Sequence, residues 1–347
     1  MLLNLHRLKY VYKHLDKRLI ILFTLLLLIL YKSNIMQTGL YPNIAYITRY
    51  ALIPMIIVYF IISIIRNKND MIFFEKTIIY VGSISMLIAI FQFFQFELAW
   101  QLREIISSNG FAKIPSGLAF FSITYSYQML ILISLVFSKY LTDINIKTML
   151  WFFIVLFGLF ASISKSATLG FSLAMLILFI KTINLNKIIF FMVILTILIS
   201  LYLLQDFKAF IDHSVALRTT LFTYGFKSFI DFIFVGMGNL VFFQHIEENY
   251  NFVIPTSPHN SYLNFLIKNG ILAIIPLIYF YIIYFSNIRY IKRYDYRLYV
   301  FFYVYIISYS FHSFFHNAGI FNGDQLFWLI FAYLLAIKKI YRAQKNV

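Results

Sequence analysis

PTSPHNSYLNFLIKNGILA, residues 255–273, is the stretch on which the reading of this chain turns. Ser257 suits a helix N-cap and Pro258 a first helical residue, which places His259 and Asn260 in the first turn. A first helical turn carries unpaired backbone N–H groups and the positive end of the helix dipole, a combination that attracts phosphate oxygens. Asn260, Asn264 and Lys268 follow at four-residue spacing, giving one polar face on an otherwise apolar helix. Two readings stay open on these residues alone: an anion site, or a capped helix start whose polar face packs between helices.

The surroundings of this stretch belong in lipid. Of 347 residues 62% are hydrophobic, 20% aromatic and only 12% charged, where soluble domains carry roughly 25% charged residues. The net charge of +16 does not imply nucleic acid, because the basic residues sit in short clusters between apolar runs. There is no cysteine, which excludes disulfides and zinc–thiolate sites. The 41 Phe and 27 Tyr are expected mainly on lipid-facing surfaces and in interface belts.

Apolar runs predict an all-α, polytopic integral membrane protein, a single transmembrane domain over 1–347 with about ten spans. The expected limits are 19–36, 44–65, 71–96, 117–137, 148–164, 166–181, 187–205, 260–285, 298–317 and 322–337. The basic, amphipathic start resembles a signal peptide, but no small-x-small site follows, so it reads as an uncleaved first span. With both termini in the cytoplasm, 20 of the 29 Lys and Arg fall in the predicted inner segments, as the positive-inside rule demands. The other nine lie outside or within spans; the outer ones run against that bias, and a charge kept near a membrane at such cost is a functional candidate. Among them are Arg103 and Lys113 before span 4, and Lys165 in the turn between spans 5 and 6. Lys208, Arg218 and Lys227 lie in a long external loop, 206–259, between spans 7 and 8. In that loop Val215, Leu217, Leu221, Phe222, Phe226, Phe229 and Ile230 have helical spacing, with Arg218 beside the stripe. Gly236-Met237-Gly238-Asn239 reads as a turn; it lacks the strand and helix of a nucleotide-binding loop.

These parts, in this order, resemble the shared region of the O-antigen polymerase and O-antigen ligase superfamily. The resemblance rests on Arg218, then Gly236-Met237-Gly238-Asn239, then His259-Asn260-Ser261-Tyr262-Leu263, then Asn269-Gly270-Ile271-Leu272-Ala273. Ala273 stands where the family has a second glycine. Upstream, Ser164-Lys165-Ser166 with Gly170 is similar to the family's Ser-Arg turn, with Lys for Arg, so a bidentate grip becomes a point-charge contact. GFAKIPSGLA, 110–119, is similar to a family turn with Ser116 for Asn. The likeness covers roughly 100–290.

The resemblance implies a membrane glycosyltransferase in the bacterial inner membrane, with its active site on the external face. Its donor would be an undecaprenyl-diphosphate-linked glycan and its acceptor a glycan or a lipid A core. The lipid bilayer is a partner in either case, a chain-length regulator and a flippase are candidate partners, and no nucleic acid is implied. Such a transfer needs cations against the leaving diphosphate and a base for the acceptor hydroxyl. Arg218 and Lys165 suit the first role, with Arg103 and Lys113 behind them. His259 suits the second, or binds the diphosphate as an imidazolium. Asn260 and Asn264 are substrate-binding candidates. So are His312 and His316, four apart near the end of span 9, which line a cavity or simply pack. No paired-aspartate motif stands in an outer loop, so no metal and no cofactor is expected. A polymerase for capsule or lipopolysaccharide O-antigen is favoured over a ligase. A flippase is disfavoured because no internal repeat is seen and the candidate charges gather at one face.

The topology predicts that a tag at Asn249 is labelled by a membrane-impermeant reagent from outside the cell. Labelling only from the cytoplasm would overturn the ten-span order.

Overall fold

The computed structural model describes residues 16–38, 44–106, 115–119, 122–182, 208–238, 242–251, 258–316, 319–321 and 324–345. Every regular element among them is a helix. In chain order these are α1 (Lys17–Thr38), α2 (Ile44–Ile64), α3 (Lys68–Phe93), α4 (Glu97–Ile106), α5 (Ser122–Thr142), α6 (Ile146–Ala161) and α7 (Lys165–Thr182). There follow α8 (Lys208–Asp231), α9 (Phe242–Tyr250), α10 (Ser261–Asn269), α11 (Ile271–Ile291), α12 (Tyr296–Phe314) and α13 (Gln325–Lys345). Three of them, α2, α3 and α11, are long and apolar enough to cross a membrane, and α6 and most of α7 are shorter apolar helices. The expected spans at 44–65, 71–96 and 148–164 thus correspond to α2, α3 and α6, while 187–205 lies outside the described residues.

Two expected spans differ. The one placed at 117–137 starts later, at Ser122, because Pro115–Ala119 is a tied turn. The buried amide of Gln92 accepts from Ser116 N at 2.9 Å and Gly117 N at 3.0 Å, and donates to Ala99 O at 3.0 Å. Ser85 Oγ accepts from Leu118 N at 3.0 Å. The span placed at 260–285 is not continuous: α10 stops at Asn269, and Gly270, at φ 73°, turns the chain before α11 begins. An apolar run cannot announce this break, because both halves are equally apolar.

The chain forms two compact units. One comprises Met1–Arg66, Asp206–Asn287 and Ser313–Val347, the other Asn67–Gln205 and Ile288–His312.

In the first unit α2 packs along α13, and α8 packs on α10. Phe280 of α11 contacts Phe321, Phe327, Trp328 and Phe331, and Phe23 of α1 meets Trp328 at 5.6 Å. At the start of α1, Arg18 donates to Ser286 Oγ at 3.0 Å, and Lys338 donates to Asn287 at 2.6 Å, tying α1, α11 and α13. A backbone clamp holds α8 against the break. Met237 N donates to Ile267 O at 2.7 Å, Gly238 N to Lys268 O at 2.8 Å, and Ile271 N to Ile233 O at 2.7 Å. The first two bonds satisfy carbonyls at the end of α10 that have no partner within their own helix. Lys32 Nζ donates to Phe234 O in the same turn.

In the second unit α3, α5 and α6 meet at small residues. A Cβ on Gly158 would meet Met129 Cε at 3.1 Å, and Tyr125 OH donates to Gly158 O at 2.9 Å. Arg297 of α12 grips Glu75 of α3 with two bonds of 2.9 and 2.8 Å. Removing one partner of such a half-enclosed pair costs about 3–5 kcal/mol. Many aromatic rings are interior: Trp328, Tyr125, Tyr127, Tyr284, Tyr305, Tyr309 and Tyr333 are among the largest fully buried side chains. Aromatic rings bury more area per residue than aliphatic ones and interlock edge to face, which suits them to fill helix junctions.

Gly236→Ala is expected to be severe, since Gly236 sits at φ 81° and its Cβ would lie 2.6 Å from Asn269 Cα. Left-handed backbone alone costs about 1–3 kcal/mol in a non-glycine residue. Gly82→Ala, whose Cβ meets only side-chain carbons of Leu132 at 3.3 Å, should be mild. Thermal melts of the detergent-purified variants check the contrast; equal melting temperatures would contradict the clamp's importance.

Candidate functional site

The site forms where α8 lies across the start of α10. Gly225 makes that approach possible, because its Cβ would sit 3.0 Å from Leu263 and from Pro258. Arg218 precedes Gly225 by seven residues, two helical turns, and so shares its face of α8. Beneath the crossing, Leu221, Met237, Phe242, Ile246, Leu263 and Ile267 form a buried apolar cluster.

Pro258, His259 and Asn260 make a tight three-residue turn, closed by Asn260 N donating to Pro258 O at 2.8 Å. Asn260 is the N-cap: its Oδ1 accepts from Tyr262 N and Leu263 N, both at 3.0 Å. This corrects the expected register, in which Ser257 caps and Asn260 sits in the first turn; Ser257 lies outside the described residues. The correction has a chemical consequence. The amides expected to bind an anion at this helix start are engaged by Asn260, so the anion-binding capacity rests on side-chain cations. Asn264 is buried one turn further in.

A third segment completes the group. Gly319 packs against the start of α10 so closely that its Cβ would collide with Ser261, 2.6 Å from Ser261 Cβ. The same segment carries His316, which is buried and lies beyond α12, since that helix ends at Phe314. His312 and His316 therefore do not share a helix face, contrary to the expected i, i+4 pair.

Arg218, His259 and His316 act on one another electrostatically. Burial, and after it the Arg218 guanidinium, holds the His259 imidazole below its ordinary pKa. Burial lowers His316 further, with Arg218 and His259 adding to the effect. Partial desolvation also lowers Arg218, from a value so high that it stays charged. Among the described residues no carboxylate pairs with Arg218 or His259. One fixed cation beside two neutral imidazoles suits an anionic ligand and leaves a histidine able to accept a proton. Among the described residues no group of three or more His, Asp or Glu gathers in metal-holding range.

The remaining candidates lie elsewhere. Lys165 and His312 belong to the second unit. Lys165, half-buried, is the first residue of α7. The next residue, Ser166, bonds His312 Nδ1 at 2.8 Å, and the Tyr127 ring packs on that imidazole at 4.4 Å. Gly170 lets α7 approach α12, since its Cβ would lie 2.8 Å from Ser308 O. His312 is thus fully buried and fastens the first turn of α7. Arg103 lies on α4, in the second unit, and Lys113 lies outside the described residues. The sequence reading gave no role to Gly225 or Gly319; a glycine facing a helix start is a signal only once its neighbour is known.

Residues 150–278 match the family model described as O-antigen ligase. Over that stretch, rather more than a third of the chain, the sequence is similar to the O-antigen polymerase and ligase superfamily. The matched stretch runs from α6 into α11 and includes Lys165, Arg218, His259, Asn260 and Asn264. No curated protein and no solved structure matches the chain. The match and the apolar helices together support a membrane protein of O-antigen or related polysaccharide biosynthesis.

The histidine environment predicts a pH signature. With folded pKa values below the unfolded value, the unfolded chain binds more protons as pH falls below about 6.5, so acidification costs stability. NMR of histidine-labelled protein should place the His259 titration below its ordinary 6.5. Arg218→Gln should move it part of the way back, leaving the larger effect of burial. A normal His259 titration in the wild type would contradict the arrangement.

Proposed function

We propose that this chain is a polysaccharide polymerase, transferring an oligosaccharide from a polyisoprenyl-diphosphate carrier to the hydroxyl of a growing glycan at the outer face of the cytoplasmic membrane. The acceptor oxygen attacks the anomeric carbon, the bond from that carbon to the diphosphate oxygen breaks, and the lipid diphosphate leaves with the electron pair. The observation that carries this reading is the convergence of Arg218, His259 and His316 at the start of α10, the first two of them inside the stretch that matches the family.

Arg218 faces the diphosphate, where negative charge grows as the bond breaks; a fixed cation there lowers the barrier. His259, held neutral by its surroundings, takes the proton from the acceptor hydroxyl. His316 adds a second imidazole to the same group, and Lys165 is retained as a cation candidate. Asn260 acts by fixing the turn that presents His259. Asn264 is retained as a substrate contact. A ligase using the same donor is favoured by one observation, the description of the matching family model.

Glycan profiling of a deletion strain tests the assignment. Single repeats on the acceptor support a polymerase, and finished polymer stranded on the carrier supports a ligase. In a purified assay Arg218→Ala should lower kcat by about 10²–10³-fold and His259→Ala by about 10²–10⁴-fold. Normal glycans from both variants at normal expression would sink the proposed roles.

A further inference from the structure

Three of the nine Lys and Arg outside the expected inner segments, Lys32, Arg49 and Lys268, fall within the expected spans 19–36, 44–65 and 260–285. Lys32 serves the turn after α8. The other two stand together. Arg49 lies in a π-helical turn, Thr48–Leu52, within α2, a rare distortion that occurs mostly at functional positions. Its guanidinium carbon is 5.6 Å from the centroid of the Tyr50 ring. Lys268 of α10 reaches over the Tyr46 and Tyr50 rings, at 5.8 and 5.9 Å. The two rings pack at 4.5 Å from each other. Arg49 acts on Lys268 as a like charge, and among the described residues neither is paired with a carboxylate.

Two cations held side by side by aromatic faces, with no counter-ion among the described residues, form a receptor for a multiply charged anion. The guanidinium offers a planar fork of donors and the ammonium a point charge, and a phosphate accepts both. We infer that Arg49 and Lys268, framed by Tyr46 and Tyr50, form a second anion site that takes a lipid-borne phosphate. The lipid attachment follows from the place. Arg49 sits near the start of a helix long and apolar enough to cross a membrane. Further along that helix Ile56 and Phe60 each leave 61% of their surface exposed, an apolar path for a chain. Lys268 is nine residues from His259, about 13 Å along a helix, so the two sites are neighbours that do not share a side chain. The inference rests on the proposed function only in naming the Arg218 site as the donor's.

The test uses the full chain purified in detergent, with farnesyl diphosphate as a soluble polyisoprenyl diphosphate, and counts bound equivalents by calorimetry and native mass spectrometry. Two equivalents are expected in the wild type. Arg49→Gln with Lys268→Gln should weaken one of them by about tenfold or more, while Arg49→Lys with Lys268→Arg should keep both. Arg218→Gln should remove the other. Two equivalents surviving in the Arg49→Gln, Lys268→Gln chain would overturn the inference, as would a single wild-type equivalent lost only with Arg218. A single equivalent lost with the Arg49 and Lys268 pair and kept in Arg218→Gln would uphold this site and remove the proposed donor site. Dihexanoylphosphatidylglycerol competing at the second site identifies a headgroup as the source; failure to compete identifies the polyisoprenyl carrier, and both uphold the inference. Inorganic pyrophosphate binding there as tightly as farnesyl diphosphate would overturn the lipid assignment. Melting temperatures of the charge-keeping and charge-removing pairs separate lost binding from lost folding.

Discussion

A helix interrupted at Gly270 leaves backbone groups that must find partners, and in a non-aqueous setting an unpaired one costs several kcal/mol. The turn after α8 meets this need. It donates to Ile267 O and Lys268 O, and accepts from Ile271 N through Ile233 O. Because the same turn continues α8, the bonds that repair the break also fix Arg218's helix against His259's. Lys32 bonds the turn at Phe234 O and ties α1 to the same joint. The relation between the guanidinium and the imidazole is therefore set by main-chain geometry rather than by their own attraction, which is repulsive whenever His259 is protonated.

That repulsion is what makes the site chemically informative. Burial and Arg218 both disfavour the imidazolium, so the empty site holds one positive charge where sequence counting suggested several. A bound diphosphate would reverse the balance and draw a proton onto the imidazole, which is the direction a base must move during the reaction. In the second unit the device is different: a Ser166–His312 bond and the Tyr127 ring hold the first turn of α7, and with it the backbone of Lys165.

The helical class, the apolar helices and the ordered motif parts were legible in the sequence because each is a local property, set by hydrophobic length or by residues close along the chain. Arg218 and His259 were legible as a charge against the bias and a histidine beside an expected helix start. The cap was misread by three positions because Ser257 and Asn260 are equally good N-caps, and only the fold chooses between them. The break at Gly270 was masked by its apolar flanks. His316 was assigned to a helix that ends two residues before it, and which aromatic rings fill the interior was not legible because composition cannot tell a buried ring from an exposed one. Arg49 was passed over because a lone cation inside an apolar run looks like an error of the boundary, and its neighbour Lys268 is more than two hundred residues away.

The clamp across Gly270 uses almost nothing but peptide groups and three glycines, Gly236, Gly238 and Gly270. A joint of that kind is indifferent to the side chains around it. The side chains around it can change while the crossing that sets Arg218 against His259 persists, so the joint tolerates a varied lining without losing its geometry.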